Sequence, residues 1–386
     1  MARAQMGFVG YLKLIPQSGA DIGIPTVIRA TSADIKLTQE INPVDVVDGK
    51  IDQTVYQLGP QVVGGNVSFP LIHEISGIKG NTGFPCTSNA VSLAERIWKF
   101  ATLRDRYGRM SPECVFQCAI RYSDNLGYIY NGCIINTLSY TITKGEPVNG
   151  TCELIGGVGL GTDELRVKFD GNTNIGSGYN PDNSDALSFL GPARVITWND
   201  VGVGVWSGDN ETGTSATGIE LVDFHSITEF SCNINNNVER IYSLNGRLAP
   251  VDVVAKKREI TGTLKMLGHQ HHLSDYTITN QNRFTSGASI AFGYKLGNEN
   301  DYYWATGLYG VVFQIEEVTL SNGLFETNTN WRALGDCENN HLSTRLGARV
   351  AGNLVKPQNS GNTYGNSTAP SYPYFSYYGE DPRNVP

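Results

Sequence analysis

The same alternation of apolar and polar residues occurs twice in this chain, once around residue 33 and again around residue 227. In each place the pattern indicates an outgoing strand, a long loop and a returning strand, because every second residue is apolar. A period of two predicts a sheet with one buried face and one solvent-exposed face. The recurrence of the pattern predicts a duplicated unit. The apolar positions are Ala33, Ile35, Leu37, Val67, Phe69 and Leu71 in the first copy and Phe230, Cys232, Ile234, Ile260, Leu264 and Met266 in the second.

Both long loops contain the pentapeptide Pro-Val-Asp-Val-Val, at residues 43–47 and 250–254. The pentapeptide starts later in the second loop than in the first, so a duplication requires extra residues there. We interpret the repeated pentapeptide as a second sign of duplication. A duplicated sheet unit favours assembly over catalysis as the role of the chain.

The composition suits short strands joined by turns. The chain has 386 residues with 44 glycines and 19 tyrosines, and only 17% of its residues are charged. A chain of this length is expected to form two domains. We therefore predict an α+β, β-dominated fold with two tandem β-sandwich or barrel-segment domains, each with a packed helix. The predicted boundaries are residues 1–160, residues 161–350 with a Gly/Asn-rich link at the start, and a C-terminal extended arm at residues 351–386.

Within the first unit, residues 88–103 are predicted to form a helix that packs on the buried face of the sheet. Ser92 and Glu95 fit a capping box, and the apolar residues follow a helical stripe. A hairpin follows, with an outgoing strand at residues 134–143 and a return at residues 151–155. The second unit is predicted to contain a weaker helix at residues 273–284, a strand at residues 289–294 and a last hairpin at residues 311–320. The stripe comprises Val91, Ala94, Ile97, Trp98 and Ala101.

The net negative charge of the chain argues against a protein that binds nucleic acid through its phosphates. The formal net charge is −8 and the pI is about 5.3, whereas phosphate binding requires clustered Lys and Arg. No segment resembles a signal peptide or an apolar membrane span, so synthesis in the cytoplasm and no membrane binding are expected.

No motif in the sequence supports catalysis, a cofactor or a metal site. The histidine cluster at residues 269–272 has no partner at a ligand spacing, and adjacent side chains on a strand point to opposite faces. The calcium-like series that begins at Asp170 has Ile175 where the loop requires glycine. Gly157, Gly159 and Gly161 precede no phosphate-binding helix. We therefore expect a non-enzyme with no cofactor.

Seven cysteines occur, without the paired spacing of a zinc site. Most are expected to be buried as small apolar side chains, and the odd number also permits one disulfide between subunits. The seven are Cys86, Cys114, Cys118, Cys133, Cys152, Cys232 and Cys337.

Residues 130–142 and 145–156 resemble the outer hairpin of the tail tube proteins of tailed bacteriophages. The two long hairpins, at residues 33–71 and 227–266, resemble the other hairpin of that family. The resemblance covers most of residues 1–350 as a pattern. It implies a β-barrel subunit whose rings stack into the tube through which genomic DNA travels.

The resemblance to a tube subunit also implies partners and a location. The chain would self-associate in rings, with trimeric, pseudo-hexameric rings suggested by the duplication. It would surround a tape measure protein and pass genomic DNA without specific binding, and a contractile sheath protein is a further possible partner. The location would be the virion tail, assembled in the bacterial host cytoplasm.

The long loops at residues 42–59 and 235–256 are the predicted ring-to-ring contacts, because loops of this length in compact domains are commonly functional. The C-terminal arm, with its tyrosines, is predicted to reach a neighbouring subunit or the outside of the tube. Two alternatives remain open at this stage: a distal tail or baseplate ring protein of the same fold, and a carbohydrate-binding two-domain β protein that uses Trp198, Trp206, Trp304 and Trp331. The predicted contact residues are Pro43, Val44, Asp45, Asn236, Pro250, Val251 and Asp252 between rings and Tyr372, Tyr374 and Tyr377 in the arm.

Overall fold

The fold was analysed in a computed structural model of the chain. The structure describes residues 11–16, 26–44, 55–73, 75–76, 91–102, 114–123, 126–157, 165–169, 194–207, 227–244, 247–267, 288–294, 304–314, 317–321, 324–333, 342–345 and 375–376.

The described chain is almost entirely β-strand, with one α-helix, α1 (Leu93–Thr102), and a single turn of 3-10 helix at Trp198–Asp200. The β-dominated part of the prediction is confirmed. The strands up to residue 169 are β1 (Tyr11–Pro16), β2 (Thr26–Ile28), β3 (Ser32–Ala33), β4 (Lys36–Val44), β5 (Val55–Pro70), β6 (Ile72–His73), β7 (Ile75–Ser76), β8 (Val91–Ser92), β9 (Phe116–Ser123), β10 (Leu126–Thr143), β11 (Asn149–Ile155) and β12 (Arg166–Phe169).

The later strands are β13 (Arg194–Val195), β14 (Val201–Ser207), β15 (Ile227–Asn235), β16 (Val238–Ile241), β17 (Asp252–Ala255), β18 (Glu259–Leu267), β19 (Ala288–Tyr294), β20 (Trp304–Phe313), β21 (Glu317–Ser321), β22 (Leu324–Ala333), β23 (Leu342–Arg345) and β24 (Phe375–Ser376). Below, the N-terminal half means residues 11–169 and the C-terminal half means residues 201–376.

One antiparallel sheet runs through both halves, and we call it the main sheet. Its order is β3/β4, β5, β11, the end of β10, β15, β18, β22, and finally the end of β20 followed by β21. Four strand positions come from each half. The halves meet where β10 pairs with β15, from Thr137↔Asn235 to Thr143↔Glu229.

Each half also has a smaller sheet that shares one long strand with the main sheet. In the N-terminal half the order is β2, β1, β9, β10, β12. In the C-terminal half the order is β14, β19, β20, β23, β24. The order β1–β9–β10–β12 therefore has its counterpart in β14–β19–β20–β23, and each half folds its smaller sheet over one face of the main sheet.

The core lies between the main sheet and the elements that cover it. Trp98 of α1 stacks on Tyr140 of β10 at 6.3 Å and meets Phe292 of β19 edge-on at 5.6 Å. Phe230 of β15 lies 5.1 Å from Phe292 and stacks on Trp331 of β22 at 5.9 Å. Rings from both halves thus form one continuous core, and such aromatic pairs add to the apolar burial.

Large and small side chains are matched across the buried face of the main sheet. One cross-strand row contains Phe69, Gly150, Tyr140, Cys232, Gly262, Trp331 and Phe313. A Cβ atom at Gly150 would lie 2.5 Å from the Phe69 ring, and one at Gly262 would collide with Trp331. The two glycines leave the space that the neighbouring aromatic rings fill.

The first predicted helix is confirmed, but it is shorter than predicted. It begins at Leu93, directly after Ser92, because Val91–Ser92 pairs with Ile75–Ser76 as a short β-ladder. The stripe residues Ala94, Ile97, Trp98 and Ala101 are all fully buried. The second predicted helix, at residues 273–284, lies outside the described residues.

The predicted last hairpin at residues 311–320 is wrong. The end of β20 and β21 do not pair with each other; they follow one another along the same edge of β22. The hairpin is formed by β21 and β22 instead. β22 was not predictable from an apolar pattern because two of its buried positions are the polar residues Thr327 and Thr329.

The two pentapeptides do not occupy equivalent positions. Pro43 and Val44 end the outgoing strand β4, whereas Asp252–Ala255 forms the returning strand β17. The repeated pentapeptide therefore gives no support for duplication.

A buried polar cluster ties the C-terminal half to the helix of the N-terminal half. The Asn236 amide, wholly buried, donates hydrogen bonds to the carbonyl oxygens of Ala101 at 2.8 Å and Ile135 at 3.0 Å. Arg258 donates to Asn236 Oδ1 at 3.0 Å and to the Thr102 carbonyl at 2.7 Å. The last carbonyls of α1 are thus bound by residues from the other half, and the Arg258 charge is favourable at the negative end of the helix dipole.

The variant Arg258→Met is expected to lower the free energy of unfolding by about 2 kcal/mol, because it removes hydrogen bonds from a charged donor to two partly or fully buried acceptors. Urea unfolding of the purified protein measures the change. The neighbouring Lys257→Met, at an exposed side chain, serves as the matched control and is expected to be neutral. Equal stability of the two variants would contradict the role of this cluster.

Candidate functional site

The face of the main sheet opposite the core is a continuous polar surface. One of its cross-strand rows runs through eight strands without a break. Below, the polar face means this row and the outward-facing residues of the same strands. The row comprises Ser32, Ser68, Thr151, Ser139, Asn233, Thr261, Arg332 and Val312.

Hydroxyl and amide groups dominate the polar face. The next row again contains Asn149, Thr141, Ser231, Thr263 and Asn330. The Ser231 and Thr263 hydroxyls hydrogen-bond to each other across the strands at 2.7 Å. These side chains present neutral hydrogen-bonding groups.

Both cations of the six strands β5, β11, the end of β10, β15, β18 and β22 are paired with carboxylates. Lys265 Nζ lies 3.2 Å from Glu326 Oε2 and 3.9 Å from Glu229 Oε1. Arg332 Nη2 lies 2.9 Å from Glu259 Oε1. The same strands carry a further acidic residue, Glu153, so carboxylates outnumber cations on this face. These six strands therefore present a neutral to acidic surface.

Two hairpin arms extend from one end of the main sheet. The first arm, residues 39–44 and 55–61, continues β4 and β5 beyond the other strands, so strand structure occupies part of the predicted loop at residues 42–59. The second arm is β16 with β17. It occupies part of the predicted loop at residues 235–256.

The first arm exposes an apolar face. Ile41 pairs with Leu58 and Pro43 pairs with Tyr56, which places the four side chains on one side of the arm. Their exposed fractions are 64% for Ile41, 65% for Tyr56 and 43% for Leu58. An apolar surface on a projecting hairpin is a typical feature of a protein–protein contact.

The second arm is docked on the N-terminal half of the same chain. Its Val238 and Val253 pack against Ile134 and Ile155. Arg240 donates a hydrogen bond to the Val63 carbonyl at 2.7 Å. The base of the first arm is thereby braced by the second.

The predicted ring-to-ring residues differ in their placement. Pro43, Val251 and Asp252 are exposed, whereas Pro250 is buried beside Gly157 and Asn236 is buried inside the chain. The side chains of Val44 and Asp45 lie outside the described residues. Contact between rings remains a prediction for all of them.

The predicted arm tyrosines, Tyr372, Tyr374 and Tyr377, lie outside the described residues. Between them, Phe375–Ser376 pairs with Ser343 and Thr344 of the same chain. Contact of the tyrosines with a neighbouring subunit remains a prediction.

The predicted carbohydrate site is not assembled by the described residues. Trp331 is 1% exposed and stacks on Phe230, so its ring is inaccessible to a sugar. Trp198 is partly exposed, and the side chains of Trp206 and Trp304 lie outside the described residues.

Within the described part of the chain, no group of three or more His, Cys, Asp and Glu side chains is arranged to hold a metal ion. The histidine cluster at residues 269–272 and the calcium-like series after Asp170 lie outside that part. Among the described helices, none is long and apolar enough to span a membrane.

Five cysteines are buried thiols in the described structure: Cys114, Cys118, Cys133, Cys152 and Cys232. Burial raises the pKa of the Cys133 and Cys152 thiols to about 12 and also raises the pKa of Cys118 and Cys232. A thiol with a raised pKa stays protonated, and only the thiolate reacts readily. A disulfide between subunits from these five is therefore not expected; Cys86 and Cys337 lie outside the described residues.

At pH 8 we expect at least five of the seven thiols to remain unreacted with a disulfide reagent such as DTNB, and all seven to react after unfolding. The variant Ser139→Cys, on the polar face, should add one reactive thiol as a positive control. Rapid reaction of more than two thiols in the native protein would contradict this burial.

The raised thiol pKa values also predict how stability depends on pH. Because these pKa values are higher in the folded protein than in the unfolded chain, the free energy of unfolding should fall as the pH rises from about 9 towards 12.

The family model described as Phage tail tube protein matches residues 7–323. No curated protein matches the chain. Among solved structures, the chain is similar to the SPP1 tail tube determined by solid-state NMR and cryo EM, with 17% sequence identity, a TM-score of 0.26 and coverage of 36% of this chain and 76% of that chain.

Because the family match spans most of the sequence, the chain belongs to the phage tail tube protein family. This confirms the resemblance that the hairpins indicated. Members of this family are structural components of the phage tail and not enzymes.

Proposed function

We propose that the chain is a subunit of the tail tube, that its rings stack along the tail, and that the polar face lines the conduit for DNA. The observation that carries this proposal is the main sheet, which has four strand positions from each half. One of its faces packs in the core, and the cross-strand row on the other face is polar at seven of its eight positions. The matching order of pairings in the two halves supports a duplicated tube domain.

Three chains of eight strand positions each would close a barrel of roughly 24 strands. With about 4.8 Å between strands and a tilt near 45°, its backbone diameter is on the order of 50 Å, which leaves a bore of about 40 Å inside the side chains. That width accommodates a hydrated DNA duplex or a tape measure protein. A pseudo-hexameric trimer is the ring that the two halves favour.

The electrostatics of the polar face suit passage of DNA without binding. Duplex binding depends on unpaired Lys and Arg that displace counterions from phosphates. Lys265 and Arg332 are both held by carboxylates, and most of their neighbours are neutral hydroxyl and amide groups. On strands β5, β11, the end of β10, β15, β18 and β22, DNA would thus meet a hydrated surface whose two cations are already paired with carboxylates.

The arms are the proposed contacts between stacked rings. They project from one end of the strands and carry exposed apolar side chains, including Ile41, Tyr56 and Leu58 on the first arm and Ile241 on the second. Burying these side chains against the next ring would contribute to stacking.

Purified protein is expected to assemble into long hollow tubes that are visible by negative-stain electron microscopy. Single rings that do not stack would favour the distal tail or baseplate alternative instead. A protein that remains monomeric at high concentration would contradict the proposal.

Adding cations to the polar face should make the tubes bind DNA. We expect tubes of Thr151→Lys with Asn233→Lys to retain a short DNA duplex in a salt-dependent manner, because both exposed positions lie on this face. Retention is measured by cosedimentation of labelled duplex with tubes. Tubes of Thr151→Gln with Asn233→Gln are the matched control and should retain as little as the unmodified protein. Equal retention by both variants would contradict a lumenal position for this face.

A further inference from the structure

The first arm leaves the main sheet at a β-bulge. Glu40 of β4 lies opposite two residues of β5, Gly59 and Pro60, where the register of the ladder shifts. A bulge bends its strand and interrupts the ladder, and proline has no N–H group to donate. The direction of the first arm relative to the main sheet is therefore set at this bulge.

The first arm has few contacts of its own that fix this direction. A two-stranded hairpin is at best marginally stable in water, and the apolar side of this one is exposed. At its base the Gln39 amide donates to the Gly59 carbonyl at 3.2 Å, and the Gln61 amide donates to Gln39 Oε1 at 3.4 Å. These hydrogen bonds join the two strands of the arm to each other and not to the rest of the sheet. A fixed direction therefore requires contacts from outside the arm.

Such contacts come from the second arm, which binds the edge of β5 next to the bulge. The ladder between β5 and β11 ends at Gly64↔Ile155, so this edge extends past β11. Beyond that point the Gln61 N–H donates to the carbonyl of Leu248, in the loop between β16 and β17, at 2.8 Å. A strand edge that β11 leaves open is thus covered by a loop of the same chain.

Two side chains of the second arm bind carbonyl oxygens on the same edge. Arg240 Nη2 donates to the Val63 carbonyl at 2.7 Å. The Tyr242 hydroxyl donates to the Gln61 carbonyl at 3.3 Å. Gly64 leaves the space that the guanidinium occupies, because a Cβ atom there would lie 3.2 Å from Arg240 Nη2. The second arm therefore holds β5 within three residues of the bulge.

Arg240, Tyr242 and Leu248 are called the clamp below. Arg240 is the member whose placement carries a cost, because its side chain is partly buried and its Nε atom has no hydrogen-bond partner among the described residues. Burial lowers the pKa of Arg240, and the nearby Tyr242 and Glu153 act in the opposite direction. Burying a charged group is unfavourable unless it is hydrogen-bonded, so the bond to the Val63 carbonyl is the contact that keeps the guanidinium in place.

We propose that Arg240, Tyr242 and Leu248 are positioning residues for ring stacking, which hold the first arm in the direction in which its apolar side meets the next ring. This role rests on the proposed tube function and gives the second arm a task besides any contact of its own. Only the fraction of first arms that point in the competent direction contributes to stacking. Release of the clamp therefore weakens the contact between rings without changing any residue of that contact.

The first test compares tube assembly by Arg240→Met with assembly by the unmodified protein. Loss of a hydrogen bond from a charged donor corresponds to roughly a tenfold shift in an equilibrium, so the critical concentration for tube formation should rise about tenfold. Sedimentation of assembled tubes over a concentration series measures it. Lys256→Met is the matched control: it removes an exposed ion pair with Glu239 on the same arm and should leave the critical concentration unchanged.

Hydrogen exchange of the unassembled protein separates positioning from general stability. In Arg240→Met the backbone amides of residues 55–61 should exchange faster, whereas exchange in β15 and β18 of the main sheet should stay unchanged. A variant that merely destabilised the fold would exchange faster in both regions. Arg240→Lys keeps a cation that can donate to the same carbonyl, and it should restore part of the slow exchange and part of the assembly.

Tyr242→Phe provides a second, milder release of the clamp and serves the same test if Arg240→Met does not fold. It removes one neutral hydrogen bond, so both measurements should shift in the same direction by a smaller amount.

Critical concentrations equal to that of the unmodified protein for both clamp variants would overturn the positioning role and leave the tube function intact. Faster exchange of residues 55–61 with unchanged assembly would also overturn it, because the direction of the first arm would then be irrelevant to stacking. Unmodified protein that forms no tubes at any concentration would contradict the tube function itself.

Discussion

The backbone ladder between β10 and β15 is the interaction on which the rest of the structure depends. It merges two four-stranded layers into one sheet, so a single polar face and a single core extend across both halves. The aromatic contacts of Trp98, Phe230 and Phe292 follow from this continuity, because rings from both halves reach the same side of the same sheet. Without the ladder, each half would expose two strand edges and part of its core.

The alternation along each strand separates stability from function. Side chains that point to one face pack into the core, where Gly150 and Gly262 leave room for aromatic neighbours. Side chains that point to the other face lie outside this core and form the polar face, where they contact one another through the Ser231–Thr263 hydrogen bond and the ion pairs of Lys265 and Arg332. A one-residue slip of register would exchange the two faces, so the same feature that stabilises the sheet also sets the chemistry of the polar face.

The sequence predicted much of this arrangement, because period-two alternation is a local signal. The paired strands around residues 33–71 and 227–266, the hairpin of β10 with β11 and the stripe of α1 were all recognisable from spacing alone. The turn at Gly145, with φ at +89°, is likewise a local requirement that glycine meets.

Features that depend on partners distant in the sequence were not predictable in this way. The pairing of β21 with β22 was not predicted because the buried residues Thr327 and Thr329 are polar. The available signal was the alternation of threonine or tryptophan with charged or amide side chains along residues 326–332. The docking of the second arm depends on Arg240 reaching the Val63 carbonyl, a contact between residues 177 positions apart. The repeated pentapeptide was a false sign of duplication, since its first two residues end β4 in the first arm whereas its last three belong to β17 in the second.

A cryo-EM reconstruction of assembled tubes tests the central claim most directly, because it shows which face of the main sheet points to the tube axis. The account predicts that Thr151 and Asn233 face the bore and that α1 lies on the outside of the sheet. A reconstruction with α1 towards the axis, or with the polar face buried between subunits, would contradict it.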